Sequence, residues 1–452
     1  MTVVDVVVLG LGVGGEEVAG KLAEAGLSVV GVERRLVGGE CPYWGCVPSK
    51  MMIRAGNAIA EARRVDVLGG HATVRPDWAP VAKRIRDEAT DDWDDTVAVD
   101  RFVGKGGHFV RGSATFTAPD TIVVGDETYT ARRGIVIAGG TSAVVPPIDG
   151  LGNTPFWTNK EAIEVEVLPS SLLVLGGGSI GVELTQVFAR FGVHVTVIEA
   201  ADRLIAGEEP ESSELADRAL IADGVTIRTG VSARKISHDG GEFTVELSDG
   251  SSVTGEKLLV AVGRKANMAD LGLEYAGLDP EARFIDTDER MRAGERLWAV
   301  GDIAGRGAFT HVAMYQAGIA IRDILGQDGP PADYAALPRV TFTDPEIGSV
   351  GLNESQARDK GLNVRVGLSR IPSSARGWIH KIGNEGFIKL VADADRGVLV
   401  GATSAGPTGG EVLSLLTLAI HAAVPIPVLK SMIYAYPTFH RAIEDALRDL
   451  GL

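Results

Sequence analysis

The stretch Val6-Val7-Val8-Leu9-Gly10-Leu11-Gly12-Val13-Gly14-Gly15 decides the fold of this chain of 452 residues. Its β-branched half, within Val3–Leu9, predicts a buried strand, and the following Glu16–Ala25 predicts a helix. A second apolar strand, Leu27–Val32, leads into the acidic residue Glu33. Glycines between a strand and a helix, followed by an acid after the next strand, are typical of a dinucleotide-binding βαβ unit.

The same pattern returns about 166 residues downstream. It comprises a strand, a glycine turn, a helix, a second strand and an acid, at Leu172–Leu175, Gly176–Gly181, Val182–Phe191, Val193–Ile198 and Glu199. In both copies the acid follows the last glycine by 18 residues. Two such units predict an α/β fold with two Rossmann-like nucleotide-binding domains, one inserted into the other.

Seven loop glycines are candidate cofactor-binding residues, namely Gly10, Gly12, Gly14, Gly15, Gly176, Gly178 and Gly181. In each loop the first glycine makes the tight turn, a middle one admits a pyrophosphate, and the last lets the helix pack on its strand. The pyrophosphate would rest on a helix N-terminus, and the acid would accept ribose hydroxyls. The alternative is an ordinary βα turn followed by a solvated acid.

Glu199 carries a prediction about the nicotinamide cofactor. A carboxylate at this point repels a 2′-phosphate, so NADH is favoured over NADPH at the second loop. Arg203 follows four residues later and could bind such a phosphate instead. The choice between NADH and NADPH therefore stays open, with NADH preferred.

Composition narrows the class of protein. Hydrophobic residues make up 45% of the chain and charged residues 23%, which gives ample material for packed cores. Subtracting 60 acidic from 44 basic residues leaves a net charge of −16, which disfavours nucleic acid and anionic membranes as partners. With no signal-peptide pattern and no apolar run of about 20 residues, we expect a cytoplasmic protein.

The remaining segments suggest how the domains are arranged. Pro76–Thr96 is expected to be helical, and Gly112–Ile137 alternates like a β-meander. Short strands are expected around Thr226–Leu247, and helices at Glu411–Ala423 and Phe439–Leu450. The predicted division gives a first nucleotide-binding domain in two parts, a second one inserted in it, and a C-terminal α+β domain: 1–149 with 266–331, 150–265, and 332–452.

The two cysteines lie close together in Cys41-Pro42-Tyr43-Trp44-Gly45-Cys46. A loop this short restricts the unfolded chain little, so a disulfide here would stabilise poorly but could open and close easily. A helix over Ser49–Ala62 would begin just after Cys46 and lower the pKa of its thiol. Half of a zinc site and two inert buried thiols are the alternatives; no metal is expected.

These features together resemble one family. The Cys-x4-Cys loop, the following Pro48-Ser49-Lys50, the two dinucleotide loops and the late Gly301-Asp302 resemble the class I pyridine nucleotide–disulfide oxidoreductases. That family includes dihydrolipoamide dehydrogenase, glutathione reductase and mercuric reductase. The resemblance implies FAD on the first loop, NADH or NADPH on the second, and a homodimer formed through the C-terminal domain.

The resemblance also implies roles for individual residues. Cys46 would be the flavin-facing thiol, and Cys41 the outer thiol that exchanges with a substrate. Lys50 and Glu183 would form an ion pair beside the flavin N5 on the nicotinamide side. Asp302, with Gly301 before it, would bind the ribityl chain, and Gly263 lies in the segment that returns from the second nucleotide-binding domain to the first.

The C-terminal motif departs from the family pattern. The family has His-Pro-Thr, with a Glu five residues after the His, and the His shuttles a proton for the outer thiol. Here Tyr436 stands at the His position and Arg441 at the Glu position. An ordinary Tyr is a poor base at neutral pH, and Arg cannot accept a proton. His440 could substitute if a helix had already begun at Tyr436, but a structural histidine is the simpler interpretation.

This departure leaves several functions open. Without the base, ordinary disulfide exchange should be slower by about 10²- to 10⁴-fold. The acceptor is expected to be a small molecule with a disulfide-type or activated sulfur. Attack on an already activated or low-pKa sulfur tolerates the loss, as does direct electron transfer from flavin to a quinone. The family's ketopropyl-coenzyme M carboxylase branch, which also replaces the His, is a third possibility. A non-catalytic redox sensor is the hypothesis outside enzymology.

Overall fold

The computed structural model describes residues 1–452 and contains 22 β-strands and 14 α-helices. The strands are β1 (Thr2–Leu9), β2 (Val29–Glu33), β3 (His108–Arg111), β4 (Ala114–Ala118), β5 (Thr121–Val124), β6 (Glu127–Ile137), β7 (Thr141–Ala143), β8 (Ser171–Leu175), β9 (His194–Ile198), β10 (Thr226–Arg228), β11 (Ala233–His238), β12 (Phe243–Leu247), β13 (Ser252–Gly255), β14 (Lys257–Val260), β15 (Arg264–Ala266), β16 (Arg292–Gly294), β17 (Leu297–Ala299), β18 (Pro338–Thr341), β19 (Glu346–Gly351), β20 (Val364–Arg370), β21 (Phe387–Asp393) and β22 (Val398–Gly406). The helices are α1 (Val13–Glu24), α2 (Glu40–Tyr43), α3 (Cys46–Leu68), α4 (Ala79–Arg84), α5 (Thr96–Gly104), α6 (Asn159–Glu164), α7 (Ser179–Arg190), α8 (Pro210–Ala222), α9 (Thr310–Ile324), α10 (Glu354–Asp359), α11 (Ala375–His380), α12 (Gly409–His421), α13 (Ile426–Ser431) and α14 (Ala442–Asp449).

The chain divides into two units, each assembled from three separate segments. The first contains Met1–Ser49, Lys83–Val144 and Arg264–Asp333, and the second contains Lys50–Ala82, Val145–Gly263 and Tyr334–Leu452. The predicted division after residues 149, 265 and 331 stays a prediction. None of the helices combines the length and the apolarity needed to cross a lipid bilayer.

The first unit is organised around an eight-stranded sheet. Its central strands run in parallel in the order β17-β6-β1-β2-β3, β16 pairs antiparallel to β17, and the β4–β5 hairpin joins β6. Val6, Val7 and Val8 are fully buried, as expected for a strand of a parallel sheet covered on both faces. The first predicted strand, helix and strand are confirmed, with bounds displaced by up to three residues.

The second unit contains a nucleotide-binding sheet built in the same way. Four parallel strands have the order β10-β9-β8-β14, and α7 connects β8 to β9. The second predicted strand–turn–helix–strand segment is therefore confirmed. The expected short strands around Thr226–Leu247 are β10, β11 and β12, of which the last two form an antiparallel meander with β13.

The C-terminal part of the second unit is an α+β layer. Its five antiparallel strands have the order β18-β19-β22-β21-β20, and α12 and α14 pack against the sheet. Apolar side chains of both helices, including Leu413, Leu416 and Leu447, share one buried core with Ile388 and Leu390 of β21. Burial of this apolar area is the main force that holds the two helices on the sheet.

The prediction of one helix over Pro76–Thr96 is wrong. After α4 the chain forms a π-helical turn at Ile85–Ala89, and Asp91, Asp92 and Trp93 then adopt left-handed backbone with φ of 50° to 58°. The Thr90 hydroxyl donates to the carbonyl oxygens four and five residues earlier, at 3.1 Å each. Such side-chain hydrogen bonds compete with the regular helical pattern, and here the helix ends.

Candidate active site

The first glycine loop joins β1 to α1 and requires glycine at several positions. Gly10 has φ of 93°, and a Cβ there would lie 2.5 Å from the carbonyl oxygen of Ala138. A Cβ on Gly15 would lie 1.9 Å from the Gly10 carbonyl oxygen, and one on Gly14 would lie 3.2 Å from helix α9. Gly12 caps α1 in an extended conformation. The first N–H groups of α1 are thus available to an anion.

The second loop repeats this geometry between β8 and α7. Gly176 has φ of 105°, and a Cβ there would lie 2.4 Å from the carbonyl oxygen of Ala261. A Cβ on Gly181 would lie 2.0 Å from the Gly176 oxygen, and Gly178 caps α7 in an extended conformation. The two loops therefore share one design, and each leaves a helix N-terminus suited to a pyrophosphate.

Each loop is held by the acid that ends the following strand. Glu33 accepts hydrogen bonds from the backbone N–H groups of Leu11, at 2.8 Å, and Arg35, at 2.7 Å. Glu199 accepts the two equivalent hydrogen bonds, from Gly177 and Ala201, at 2.6 and 2.7 Å. Each carboxylate oxygen has a second lone pair, so both acids can still accept a ribose hydroxyl.

Arg203 is engaged within its own loop. Its guanidinium donates to the Ser213 hydroxyl at 2.6 Å and to the carbonyl oxygens of Ala206 and Glu208 at 2.7 and 2.9 Å. These three hydrogen bonds hold the side chain against α8. A 2′-phosphate on the nicotinamide cofactor would have to compete with them.

A cavity of the first unit lies at the carboxyl ends of β1 and β2. Gly10, Glu33, Ser113, Asn267 and Asp270 contribute to its lining. Cavities at the carboxyl ends of parallel strands are where such sheets bind ligands. A glycine turn and an acid on its wall fit the nucleoside end of FAD, so the residues present suit this cofactor.

Asp302 lies in a buried polar network of the first unit. Its Oδ2 accepts a hydrogen bond from the Thr141 hydroxyl at 2.6 Å. Burial raises the pKa of the Asp302 carboxyl, and the Thr141 hydrogen bond and the charge of Arg264 offset this only in part. Gly301 before it has φ of 82° and donates its N–H to Gln316 at 2.7 Å. The side chain predicted to bind the ribityl chain is thus firmly placed.

The two cysteines lie at the start of adjacent helices. Cys41 is the second residue of α2, and Cys46 is the first residue of α3, three residues before the predicted helix start. Both are thiols, Cys46 exposed and Cys41 half-buried. The hydrogen bond with Cys46 and then burial raise the pKa of the Cys41 thiol. Cys41 therefore keeps its proton at neutral pH.

Thr310 is a site residue that sequence reasoning missed. Its hydroxyl lies 3.3 Å from the Cys46 sulfur, and it is the first residue of α9. The two residues are 264 positions apart, and no local pattern connects them. A hydroxyl at this distance can donate a hydrogen bond to a Cys46 thiolate.

The structure brings Lys50 and Glu183 together, as predicted. Lys50 Nζ donates to Glu183 Oε2 at 2.8 Å, and Glu183, at 6% exposure, is buried on α7. Glu183 Oε1 accepts the backbone N–H of Phe342 at 2.8 Å, and the Lys50 ammonium lies 4.7 Å from the centre of the Phe342 ring. Phe342, which the sequence did not single out, thus orients both members of the pair.

Tyr436 lies outside any helix, between α13 and α14. It is 69% exposed and joined to Pro437 by a cis peptide bond, and the Arg441 guanidinium lies 5.6 Å from its ring centre. His440 is exposed within the 3₁₀ turn Phe439–Arg441, before α14. The condition under which His440 could substitute for the family's His, a helix already begun at Tyr436, is therefore not met. The predicted helix Phe439–Leu450 is confirmed from Ala442 onward.

Two family models match the chain. Residues 4–317 match the model for pyridine nucleotide-disulphide oxidoreductase, and residues 337–447 match the dimerisation domain of the same family. Together they cover nearly the whole sequence. The second match falls on the C-terminal α+β layer.

Curated relatives and solved structures agree with this match. The chain is 31% identical to dihydrolipoyl dehydrogenase of Haloferax volcanii, covering 98% of this chain and 95% of the relative. It is 30% identical to mercuric reductase of Bacillus cereus, covering 98% and 71%. A Cu(II) complex of the HOCl-induced flavoprotein disulfide reductase RclA from Escherichia coli is similar in structure, with TM-score 0.87, 25% identity and 99% of both chains covered. The chain therefore belongs to the pyridine nucleotide-disulphide oxidoreductases, a family of FAD-dependent enzymes that use NAD(P)H and a redox-active disulfide.

Proposed function

We propose that this enzyme reduces a small molecule with a disulfide or activated sulfur through Cys41 and Cys46, without the family's His–Glu pair. Gly10, Glu33 and Asp302 would hold FAD, which would supply the transfer of an electron pair from the nicotinamide to the disulfide. One sequence observation carries the proposal. Tyr436 and Arg441 occupy the positions of the family's His and Glu, while the family's two cysteines, its lysine and its glutamate are all present as Cys41, Cys46, Lys50 and Glu183.

The cysteines would carry the exchange step. In the reduced form Cys41 holds a proton, because its pKa is raised by the hydrogen bond with Cys46 and by burial. Cys41 loses its proton to water as its sulfur attacks the acceptor disulfide; a mixed disulfide forms and the first acceptor sulfur leaves as a thiolate. The Cys46 thiolate then attacks the Cys41 sulfur and displaces the second acceptor sulfur, which also leaves as a thiolate. The products are the Cys41–Cys46 disulfide, two acceptor thiolates and one proton released to water, so atoms and electrons balance.

Proton transfer decides which acceptors suit this site. A His base would remove the Cys41 proton and return it to the leaving sulfur, and a tyrosine and an arginine at these positions supply no such base. Acceptors whose leaving sulfur is stable as a thiolate need no returned proton. The site therefore favours activated or low-pKa sulfur over lipoamide or glutathione disulfide.

Lys50 and Glu183 would serve the nicotinamide side. Glu183 is fixed through both carboxylate oxygens, and it holds the Lys50 ammonium in a defined position. By the family resemblance this ammonium would lie on the nicotinamide side of the flavin, where a fixed positive charge would favour hydride transfer. We assign the pair a role in flavin reduction, not in exchange with the acceptor.

The second loop would prefer NADH. Glu199 places a carboxylate where the ribose binds, and the Arg203 guanidinium already makes three hydrogen bonds. A 2′-phosphate would meet one repulsive charge and no free cation in this loop. Comparison of kcat/KM for NADH and NADPH tests this preference, and a higher value for NADPH would contradict it.

The central experiment is a panel of acceptors with wild type and the double variant Tyr436→His/Arg441→Glu. Wild type should reduce an aromatic disulfide such as 5,5′-dithiobis(2-nitrobenzoate) far faster than lipoamide or glutathione disulfide. The double variant should raise the two slow rates by 10-fold or more, within the range of about 10²–10⁴ for acid–base catalysis. His440→Gln is the control and should change none of these rates.

Equal wild-type rates on lipoamide and on the aromatic disulfide would contradict the proposal.

A second candidate is a quinone reductase that acts directly from the flavin. It is favoured by the protonated Cys41, which slows the thiol route. Turnover with menadione that survives in Cys46→Ser, with no disulfide turnover in wild type, would establish it. The same panel of acceptors should include Hg(II) and Cu(II), because the similar proteins include a mercuric reductase and a Cu(II) complex of RclA.

A further inference from the structure

The residue directly before Cys41 makes an ion pair that the proposed exchange step does not use. Glu40 is the first residue of α2, and its Oε2 accepts a hydrogen bond from Arg264 at 2.6 Å. The two side chains are 25% and 19% exposed, so water screens the pair only in part. The residues are 224 positions apart in sequence.

Arg264 connects this pair to the carboxylate predicted to bind the flavin. Its Nε donates to the Thr141 hydroxyl at 2.7 Å, and its Nη2 donates to the Thr141 carbonyl oxygen at 2.8 Å. The same hydroxyl donates to Asp302 at 2.6 Å. A continuous chain of hydrogen bonds therefore runs from the helix of Cys41 to Asp302.

The anchor for this chain of hydrogen bonds lies on two paired strands. Arg264 begins β15, and Thr141 begins β7, the strand with which β15 pairs antiparallel. The Arg264 guanidinium thus makes two hydrogen bonds to Thr141 of the partner strand, and an Nη2 hydrogen donates to Glu40. Three of its five N–H donors are used in hydrogen bonds that fix its plane.

The helix that Glu40 begins needs such an anchor. Helix α2 has only four residues, and Gly39 before it provides no side-chain cap. Gly38 and Gly39 both have positive φ, 104° and 71°, so the chain enters α2 through two conformationally permissive residues. A single helical turn is not stable by itself. The position of Cys41 therefore depends on contacts such as that between Glu40 and Arg264.

The pair also sets the charge beside the thiols. A carboxylate next to Cys41 disfavours a thiolate, and a guanidinium bound to that carboxylate offsets the effect. Removal of either partner leaves the opposite charge uncompensated. The two single removals should thus act on the thiols in opposite directions.

We propose that the Glu40–Arg264 ion pair is a positioning element of the redox-active cysteines. It anchors Cys41 to the Thr141–Asp302 network and balances the charge beside the two sulfurs. This inference rests on the proposed function, since it assumes that Cys41 and Cys46 exchange electrons. Both residues act through the cysteines and contact no reacting atom.

The test compares Glu40→Gln, Arg264→Gln and the double variant in the FAD-containing enzyme. The readouts are the pH midpoint of the long-wavelength absorbance between thiolate and oxidised flavin, and the dithiol–disulfide equilibrium in glutathione buffers. Glu40→Gln should lower the midpoint by about half a unit or more, and Arg264→Gln should raise it by a similar amount. Glu24→Gln, which removes a surface ion pair with Lys21, is the control and should leave both readouts unchanged.

Shifts of the same sign in both single variants, or shifts no larger than that of the control, would overturn the inference. In the double variant the midpoint should return toward the wild-type value, while the dithiol–disulfide equilibrium stays at least 3-fold displaced because the anchor is lost. If Arg264→Gln does not retain FAD, Arg264→Lys replaces it, because lysine keeps the positive charge. In Arg264→Lys the dithiol–disulfide equilibrium should shift and the pH midpoint should not. A wild-type enzyme whose cysteines accept no electrons would refute the proposed function itself. Unchanged readouts in Glu40→Gln would refute only the role of the ion pair, so the two failures are distinguishable.

Discussion

Glu183 holds two partners at once: its Oε2 accepts the Lys50 ammonium at 2.8 Å and its Oε1 accepts the Phe342 N–H at the same distance. Both oxygens of a buried carboxylate are thus satisfied, and the lysine head group cannot swing away without leaving a buried charge unpaired. This arrangement fixes the position of the Lys50 ammonium, although the two residues lie 133 positions apart in sequence.

Removal of this lysine charge should slow flavin reduction more than any later step. We expect Lys50→Met to lower the rate of anaerobic flavin reduction by NADH 10-fold or more, measured by stopped-flow absorbance. It should also destabilise the fold by about 1–2 kcal/mol, a value reduced by the partial exposure of the lysine. Lys83→Met removes an exposed lysine from a surface pair and should change neither quantity. An unchanged reduction rate in Lys50→Met would contradict the assigned role.

The two loop acids should separate the two cofactors. Glu33→Ala removes the carboxylate that braces the first loop, so FAD should dissociate more readily, by 10-fold or more in Kd. Glu199→Ala should raise KM for NADH to a similar degree while FAD stays bound. Flavin absorbance after gel filtration and steady-state kinetics check the two outcomes, and each variant is the control for the other. Loss of FAD in Glu199→Ala would show that the loops are assigned wrongly.

Glycine 15 offers a steric test of the first loop. A Cβ there would lie 1.9 Å from the Gly10 carbonyl oxygen, a distance that backbone atoms cannot accommodate without moving. Gly15→Ala should therefore yield protein with little bound FAD. Gly104→Ala is the matched control, because a Cβ at the end of α5 meets nothing within 4 Å. The control should retain FAD and gain up to about 1 kcal/mol in stability, measured by denaturant unfolding.

The pH dependence of Cys41 reactivity follows from its raised pKa. A thiol whose pKa is raised stays protonated to higher pH, so its thiolate fraction grows about 10-fold per pH unit throughout the neutral range. Alkylation of Cys41 by iodoacetamide in the NADH-reduced enzyme should rise in this way from pH 7 to 9, with no plateau. Mass spectrometry of the modified peptide measures the rate. A plateau near pH 7 would mean that another group already removes the proton, and Tyr436→His should create such a plateau.

Local sequence patterns were sufficient for the nucleotide-binding loops. Gly10, Gly15, Gly176 and Gly181 stand where a side chain would collide with backbone, so the local chain geometry requires them. The acids follow at a fixed spacing because one helix and one strand separate them from the last glycine. The pairing of Lys50 with Glu183 came from the family resemblance, since their 133-residue separation carries no pattern of its own.

The parts that sequence reasoning missed are contacts between distant polar side chains. Thr310 beside Cys46, Phe342 beside Lys50, and Arg264 beside Glu40 each join segments that only the folded chain brings together. The break after α4 was missed for a related reason, because the Thr90 hydroxyl binds backbone oxygens that a helix would otherwise use. Propensity and periodicity do not encode such choices.

The proposed function requires that the electron pair reach Cys41 and Cys46 after the flavin. Anaerobic titration of the purified enzyme with NADH, or with dithionite as a check, measures this directly. We predict uptake of four electrons for each FAD, two for the flavin and two for the disulfide, with long-wavelength absorbance at the half-way point. Uptake of only two electrons without that absorbance, or a protein that purifies without FAD, would contradict the account.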